Sequence, residues 1–265
     1  MRFESIASGS SGNCSYIGSD TAHILVDTGI SRKRTMEALR DLDLELQDLD
    51  GIFITHEHSD HISGLPMIAK KTTAPIYATR GTIRAMLQMS KMEGIDPARF
   101  VPVQADEKIT IKDLKINPMK ISHDAADPVG YRVTYGRHKV CICTDLGCYT
   151  DYTVECLRDA DVLLLEANHD VNMLQVGPYP YHLKKRILGS RGHLSNVSSG
   201  RLLSAVLNDH MAGIFLGHLS KENNFPELAF ETVRVEIMSA DTDFRPEDLP
   251  IRVAQRTRPS GVVEI

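Results

Sequence analysis

The sequence predicts a mixed α/β fold of two halves, with sheets packed face to face and helices outside. Three observations carry this prediction. Apolar, β-branched runs alternate with amphipathic helical segments from end to end. A block of closely spaced short strands fills 100–145. No low-complexity tract, internal repeat or linker interrupts the 265 residues, which read as one domain over 1–265.

The elements follow in order. Residues 3–7 read as a strand, then comes the Gly/Ser-rich loop 8–13 and a strand over 23–27. Ser31 caps a helix that turns Met36, Leu39 and Leu42 toward the core. A strand at 51–55 is followed by a helix over 65–71, a short strand at 76–78 and a helix over 83–92. That last helix sets Ile83, Met86, Leu87 and Ser90 on one face. The strand block has pieces near 100–103, 108–111, 114–121, 129–135 and 138–144, with Tyr135-Gly136-Arg137-His138 as a hairpin connection. The apolar strand 162–166 precedes a helix over 195–207 that buries Leu202, Leu203, Val206 and Leu207. A strand at 213–216 leads to a helix over 227–238, opened by Pro226, whose missing N–H costs nothing in a first turn. A strand at 251–254 closes the order.

Composition narrows the function. At 42% hydrophobic and 25% charged the chain is globular, and a net charge of −5 confines any nucleic-acid contact to a local basic patch. The opening Met1-Arg2-Phe3-Glu4-Ser5 has no basic region leading into a long apolar run, and no run of about 18 apolar residues occurs, so neither a secretory signal nor a membrane span is expected. The five cysteines are odd in number and lack metal-finger spacing. They read as structural thiols of a cytoplasmic protein.

The segment His56-Glu57-His58-Ser59-Asp60-His61 sits at the mouth of the strand carrying Ile52-Phe53-Ile54-Thr55. Imidazole and carboxylate ligands suit zinc and manganese, and iron as well. Three other strands also end in metal-competent side chains: His123, Asp145 and His218. If those ends share a rim, seven ligands converge. His56 and His58, two apart on extended chain, would join His123 around one ion. Asp60, His61 and His218 would hold a second, with Asp145 bridging. Two divalent ions so placed share a hydroxide, the nucleophile for attack on phosphorus or carbonyl carbon, and Asp60 would orient it and take its proton. The metalloprotease helix His-Glu-x-x-His is absent, because position 60 is Asp. His23, His138, His169 and His210 are read as ordinary core or surface residues.

A second constellation lies at the leaving-group end. Strand 162–165 ends in Glu166-Ala167-Asn168-His169, and Gly192-His193-Leu194-Ser195-Asn196 stands before a helix. Glu166 would keep His193 protonated, so that the imidazolium donates to a leaving oxygen. The helix start at Ser195 and Asn196 favours a bound phosphate. Between these segments run Tyr179, Tyr181, Lys184, Lys185 and Arg186, with Arg191 nearby. They suit backbone-phosphate contact and base stacking. In the loop 8–13, Ser10, Ser11 and Asn13 are further candidates for substrate contact, since small residues let backbone N–H groups approach an anion.

With these motifs the chain resembles the metallo-β-lactamase superfamily of binuclear hydrolases along essentially its full length. The resemblance implies a four-layer αββα sandwich with the metal site at one edge of the two sheets. Glu166 and His193 are similar to positions in the Glu-Ala-Thr and His-Ser-Thr segments of tRNase Z-type phosphodiesterases, with Asn168 and Leu194 departing from that pattern. The serine-rich loop and Cys14, Ser122-His123-Asp124, Thr144-Asp145-Leu146-Gly147 and Gly217-His218-Leu219-Ser220, taken with the hexapeptide, resemble the YycJ/WalJ-like bacterial group. That resemblance implies 5′-to-3′ exonuclease activity on DNA. The chain has no room for an inserted cap of well over a hundred residues and shows no long Gly/Pro-rich arm, which leaves an open groove.

The sequence therefore predicts a binuclear-metal phosphodiesterase, a nuclease acting on DNA. A small-molecule hydrolase acting on a cyclic phosphodiester, lactone or thioester is the alternative. A non-catalytic nucleic-acid-binding module is disfavoured by Asp60, which a closed structural site does not need. An oxygen-reducing di-iron centre is disfavoured by His58, which stands where a carboxylate ligand is expected.

Overall fold

The structure is a computed structural model describing residues 1–265. The first half contains β1 (Arg2–Ala7), β2 (Cys14–Gly18), β3 (His23–Val26), α1 (Arg32–Arg40), β4 (Gly51–Phe53), α2 (Ser59–Ile62), α3 (Leu65–Ala69), β5 (Ile76–Thr79), α4 (Arg80–Leu87) and β6 (Phe100–Val103). The second half continues with β7 (Ile109–Ile111), β8 (Leu114–Lys120), β9 (Val129–Tyr135), β10 (His138–Cys143), α5 (Asp151–Leu157), β11 (Val162–Glu166), α6 (Val171–Val176), α7 (Tyr181–Leu188), α8 (Asn196–Val206), β12 (Gly213–Gly217), α9 (Pro226–Ser239) and β13 (Ile251–Val253). A short β14 (Val263–Glu264) returns to pair with β1.

Two seven-stranded sheets result, ordered β14-β1-β2-β3-β4-β5-β6 and β13-β12-β11-β10-β9-β8-β7. Each is built the same way. Three antiparallel strands (β1–β3, β8–β10) are followed by three parallel additions (β4–β6, β11–β13). Side-chain alternation sorts the layers. Val140 and Ile142 of β10 enter the core between the sheets, while Cys141 and Cys143 join the core beneath the helices. Val162 and Leu164 of β11 likewise face the other sheet, and Leu163 and Leu165 face the helices. Leu39 of α1, Leu65 of α3 and Met86 of α4 cover the first sheet. Leu157 of α5, Leu202 of α8 and Val233 of α9 cover the second. This is the αββα sandwich the sequence implied.

Several local details differ from the sequence reading. Strand β2 was not anticipated. Its Cys-Ser-Tyr-Ile-Gly has no clean alternation, because all five residues are buried. The helix expected over 83–92 starts at Arg80, where the Thr79 hydroxyl accepts from the Thr82 N–H, and stops at Leu87; Ser90–Met92 form a separate 3-10 turn. Leu87 is 44% exposed rather than core-facing. Cys148 is half-exposed, unlike the four other cysteines. No helix is long and apolar enough to cross a membrane.

Candidate metal centre

The strand ends named by the sequence converge. His56 and His58 follow β4, and Asp60 and His61 lie on the one-turn helix α2. His123 follows β8, Asp145 follows β10 and His218 follows β12. His56 Nε2 lies 3.1 Å from His58 Nδ1, which lies 3.2 Å from His123 Nε2. Four ligands at tetrahedral corners about 2.0 Å from zinc are about 3.3 Å apart, so this spacing fits a cation at the centre. The second group has His218 Nε2 3.2 Å and His61 Nε2 3.4 Å from Asp60 Oδ2. Asp145 stands between them, Oδ2 3.1 Å from His61 Nε2, and Oδ1 3.5 Å from His218 Nε2 and 3.7 Å from His123 Nε2. His56, His58 and His123 form one set that could hold an ion, and Asp60, His61 and His218 form another.

The outer nitrogens are engaged, which orients the inner ones. His61 Nδ1 donates to Asp27 Oδ2 at 2.7 Å, His123 Nδ1 to the Gly192 carbonyl at 3.0 Å, and His218 Nδ1 to Glu166 Oε1 at 2.9 Å. The Thr55 hydroxyl donates to Asp27 and stands 3.0 Å from His56 Nδ1. Such partners fix tautomer and ring direction and raise ligand basicity. The sequence reading missed Asp27 and Thr55. Asp27 is itself a carboxylate at a strand end, the same signal that singled out Asp145. Asp27, Asp145 and His218 hold φ of 60°, 59° and 55°, a left-handed backbone that costs energy in non-glycine residues. Gly29 permits a close approach: a Cβ there would lie 1.6 Å from the Asp60 carbonyl oxygen.

Electrostatics divide the cluster. Burial opposes charge on Asp60, yet the neighbouring His61 and His218 outweigh it and hold the carboxyl well below its usual range. Asp145 is lowered likewise, burial being overcome by His218 and His61. Burial would neutralise His218, but Asp145, Asp60 and Glu166 raise it to about 10. His56, buried and beside His61, is pushed down. Ion binding at His218 would compete with protonation of that imidazole.

Glu166 is fully buried and saturated. Its Oε1 accepts from His193 Nδ1 at 2.8 Å and from His218; its Oε2 accepts from the Leu146 and Leu194 N–H groups. Burial alone would raise its pKa, but the His193 charge and these bonds bring it to about 2. Burial works against charge on His193, and Glu166 overrides it, raising the imidazole. His193 Nε2 is left free at the mouth of the site, in a cleft shared with His58, Asp60, Asp145, His218, Ser10 and Arg186.

The candidates for substrate contact divide. Ser10 is exposed and lines this cleft, and Ser11 is exposed beside it. Asn13 is buried, accepts from the Gly9 N–H, and places its amide 3.3 Å from Asp60 Oδ2 and 3.0 Å from His61 Nε2. Tyr181 is 81% exposed and does not line the cleft, whereas Tyr179 lines an adjoining cavity. The Lys184 ammonium donates to the Gln175 carbonyl. Ser195 caps α8, and Asn196 is buried in a reciprocal amide pair with Asn224. Arg186 holds Asp124 in a bidentate pair, and Arg191 Nε donates to the His123 carbonyl. The sequence reading noted both arginines but not these partners.

A family model described as the Beta-lactamase superfamily domain matches residues 22–212. The chain belongs to that family and is an enzyme, a metal-dependent hydrolase. It is similar to exodeoxyribonuclease YycJ of Bacillus anthracis, 38% identical over 229 residues covering 86% of each chain. It is also similar to exodeoxyribonuclease WalJ of Streptococcus pneumoniae, 37% identical over 241 residues covering 91% of this chain and 90% of that one. Among solved structures, Zn2+-bound PqqB from Methylobacterium extorquens shares the fold, with a TM-score of 0.73 at 13% identity over 98% of this chain and 100% of that one.

Proposed function

We propose that the protein is an exodeoxyribonuclease that removes nucleotides from DNA in the 5′-to-3′ direction, using two divalent ions, zinc or manganese. The observation that carries this reading is the Glu166–His193 pair, with Nε2 free beside the ligand cluster. An alkoxide leaving group needs a proton, and a charged imidazolium held by a buried carboxylate supplies one. The YycJ and WalJ relatives, named exodeoxyribonucleases, support DNA as the substrate.

His56, His58 and His123 would hold one ion and Asp60, His61 and His218 the other, with Asp145 shared. Bound there, the ions would activate water and neutralise phosphate charge. Asp60 would orient the attacking water and receive its proton. Asp27, Thr55 and Glu166 keep the imidazoles turned inward. The exposed Lys185, next to the Asp124-paired Arg186 on α7, gives an overall acidic protein a local cationic approach for a phosphate backbone. Ligands drawn from His56 to His218 and from both sheets support reading 1–265 as one domain.

End-labelled DNA and RNA strands, incubated with the manganese- or zinc-loaded protein, test the proposal. DNA should shorten from its 5′ end, and chelation or Asp60→Ala should abolish cleavage. Intact DNA under all metal conditions would overturn it.

A further inference from the structure

Beyond His193 the metal cleft opens into a second cavity of about 160 Å3. The two spaces share Ser10, Arg186 and His193. Tyr179, Leu183 and Ile187 line it on one part, and the buried Asn168 and Ser220 on another. Its only lining arginine is already engaged, with Nη2 3.0 Å from Asp124 Oδ1 and Nε on Oδ2. Arg186 and Asp124 thus cancel, and no free lysine or arginine reaches the cavity. An aromatic and apolar wall with amide and hydroxyl groups suits an uncharged flat ring system better than a phosphate. The volume lies below the roughly 300–1,000 Å3 of drug-sized ligand pockets, so it takes one such ring.

Position assigns its occupant. His193 itself lines the cavity, so what fills it belongs to the group whose oxygen receives that proton. We propose that this cavity seats the uncharged base of the terminal nucleotide, the leaving group, and so limits each cut to one nucleotide, an inference that rests on the nuclease reading above. The oxygen of water bonds to phosphorus as the P–O3′ bond breaks. The electron pair goes to O3′, and His193 Nε2 delivers the proton. The phosphate stays on the shortened strand, and the released unit carries a free 3′-hydroxyl: a nucleoside from a 5′-hydroxyl end, and a nucleoside 5′-monophosphate at each later cut.

The test uses the full metal-loaded chain and 3′-labelled DNA strands with three kinds of 5′ end: hydroxyl, phosphate, and a terminal residue lacking its base. The first product should be one nucleotide shorter. The baseless end should be cut with a kcat/KM lower by about 5- to 100-fold, the range of one base–aromatic stack. Hydroxyl and phosphate ends should differ by less than that. Tyr179→Ala should erase most of the preference for a base, through KM rather than kcat. Longer first products, indifference to the base, or a dominant need for the phosphate would each overturn the nucleoside pocket while leaving the nuclease reading standing. Failure to cut any end would sink both. The baseless-end comparison on the unmodified protein decides the matter even if Tyr179→Ala fails to fold.

Discussion

At His193 everything turns on which nitrogen stays free. Glu166 takes Nδ1, so Nε2 faces the cleft. His193→Ala should lower kcat on DNA by about 10²- to 10⁴-fold, the usual weight of a general acid. A p-nitrophenyl phosphodiester, whose leaving oxygen needs no proton, should lose far less; equal losses on both substrates would sink the relay. Away from the site, Glu4 is buried and feels the negative charge of Asp41, and burial first, then that repulsion, raises its pKa to about 7. A raised carboxyl favours the fold while protonated, so its contribution is full below about pH 4.5 and is lost as pH climbs to 7. Glu4→Gln should therefore stabilise the protein by about 1–3 kcal/mol at pH 8 and hardly at pH 4, read from denaturant midpoints at both values. The seven ligand candidates were legible because His and Asp at strand ends have no packing role. Thr55 was not, since a lone Thr at a strand end is common, and Asp27 was passed over although it carries the same strand-end signal as Asp145. Asn13 and Asn196 show the converse, polar residues whose amides are engaged with neighbouring chain.

Among the elements, the outer helices and most strands could be read from periodicity, since each has one face on a core. The segments over the site could not. Helix α7 has no buried residue, its Leu183 and Ile187 facing an open cavity rather than a core, and it is held by Arg186 on Asp124 and by Lys184 on the Gln175 carbonyl. Strand β2 escaped for the opposite reason, being covered on both faces. The turn Asp27-Thr28-Gly29 carries the tightest constraint. Its backbone takes hydrogen bonds from and to the metal loop, Thr28 N–H to the His61 carbonyl at 2.8 Å and Gly64 N–H to the Thr28 carbonyl at 2.8 Å. Gly29→Ala should push Asp60 outward, weakening metal affinity in a titration and costing about 1–3 kcal/mol in chemical unfolding. Unchanged metal affinity would show that the loop adapts freely.

Over the whole molecule, ligands separated by up to 162 positions in the chain, His56 to His218, would be joined by the ions. A metal that binds only the folded chain stabilises it by about 2.7 kcal/mol at one hundred times Kd. The thermal midpoint should thus rise by several degrees with zinc or manganese and fall with chelator, and Asp145→Ala should flatten that response. A midpoint insensitive to metal would argue against a shared site. The two-halved sandwich was legible from the order of elements and the resemblance, but the strand order repeated in each half was not, because no internal sequence repeat marks it. In each, a third strand ends in an Asp at φ near 60°, and the glycine two residues on lies against foreign backbone: Asp27 and Gly29 at the Asp60 carbonyl, Asp145 and Gly147 at the Ser190 carbonyl. The same turn is thereby put to unlike ends. One aspartate faces away from the cluster's centre and braces His61; its counterpart faces inward among the ligands. Asp27-Thr28-Gly29 and Asp145-Leu146-Gly147 differ only at the middle residue, so the chain around each turn, not the turn's own sequence, sets whether its carboxylate braces a ligand or joins the ligands.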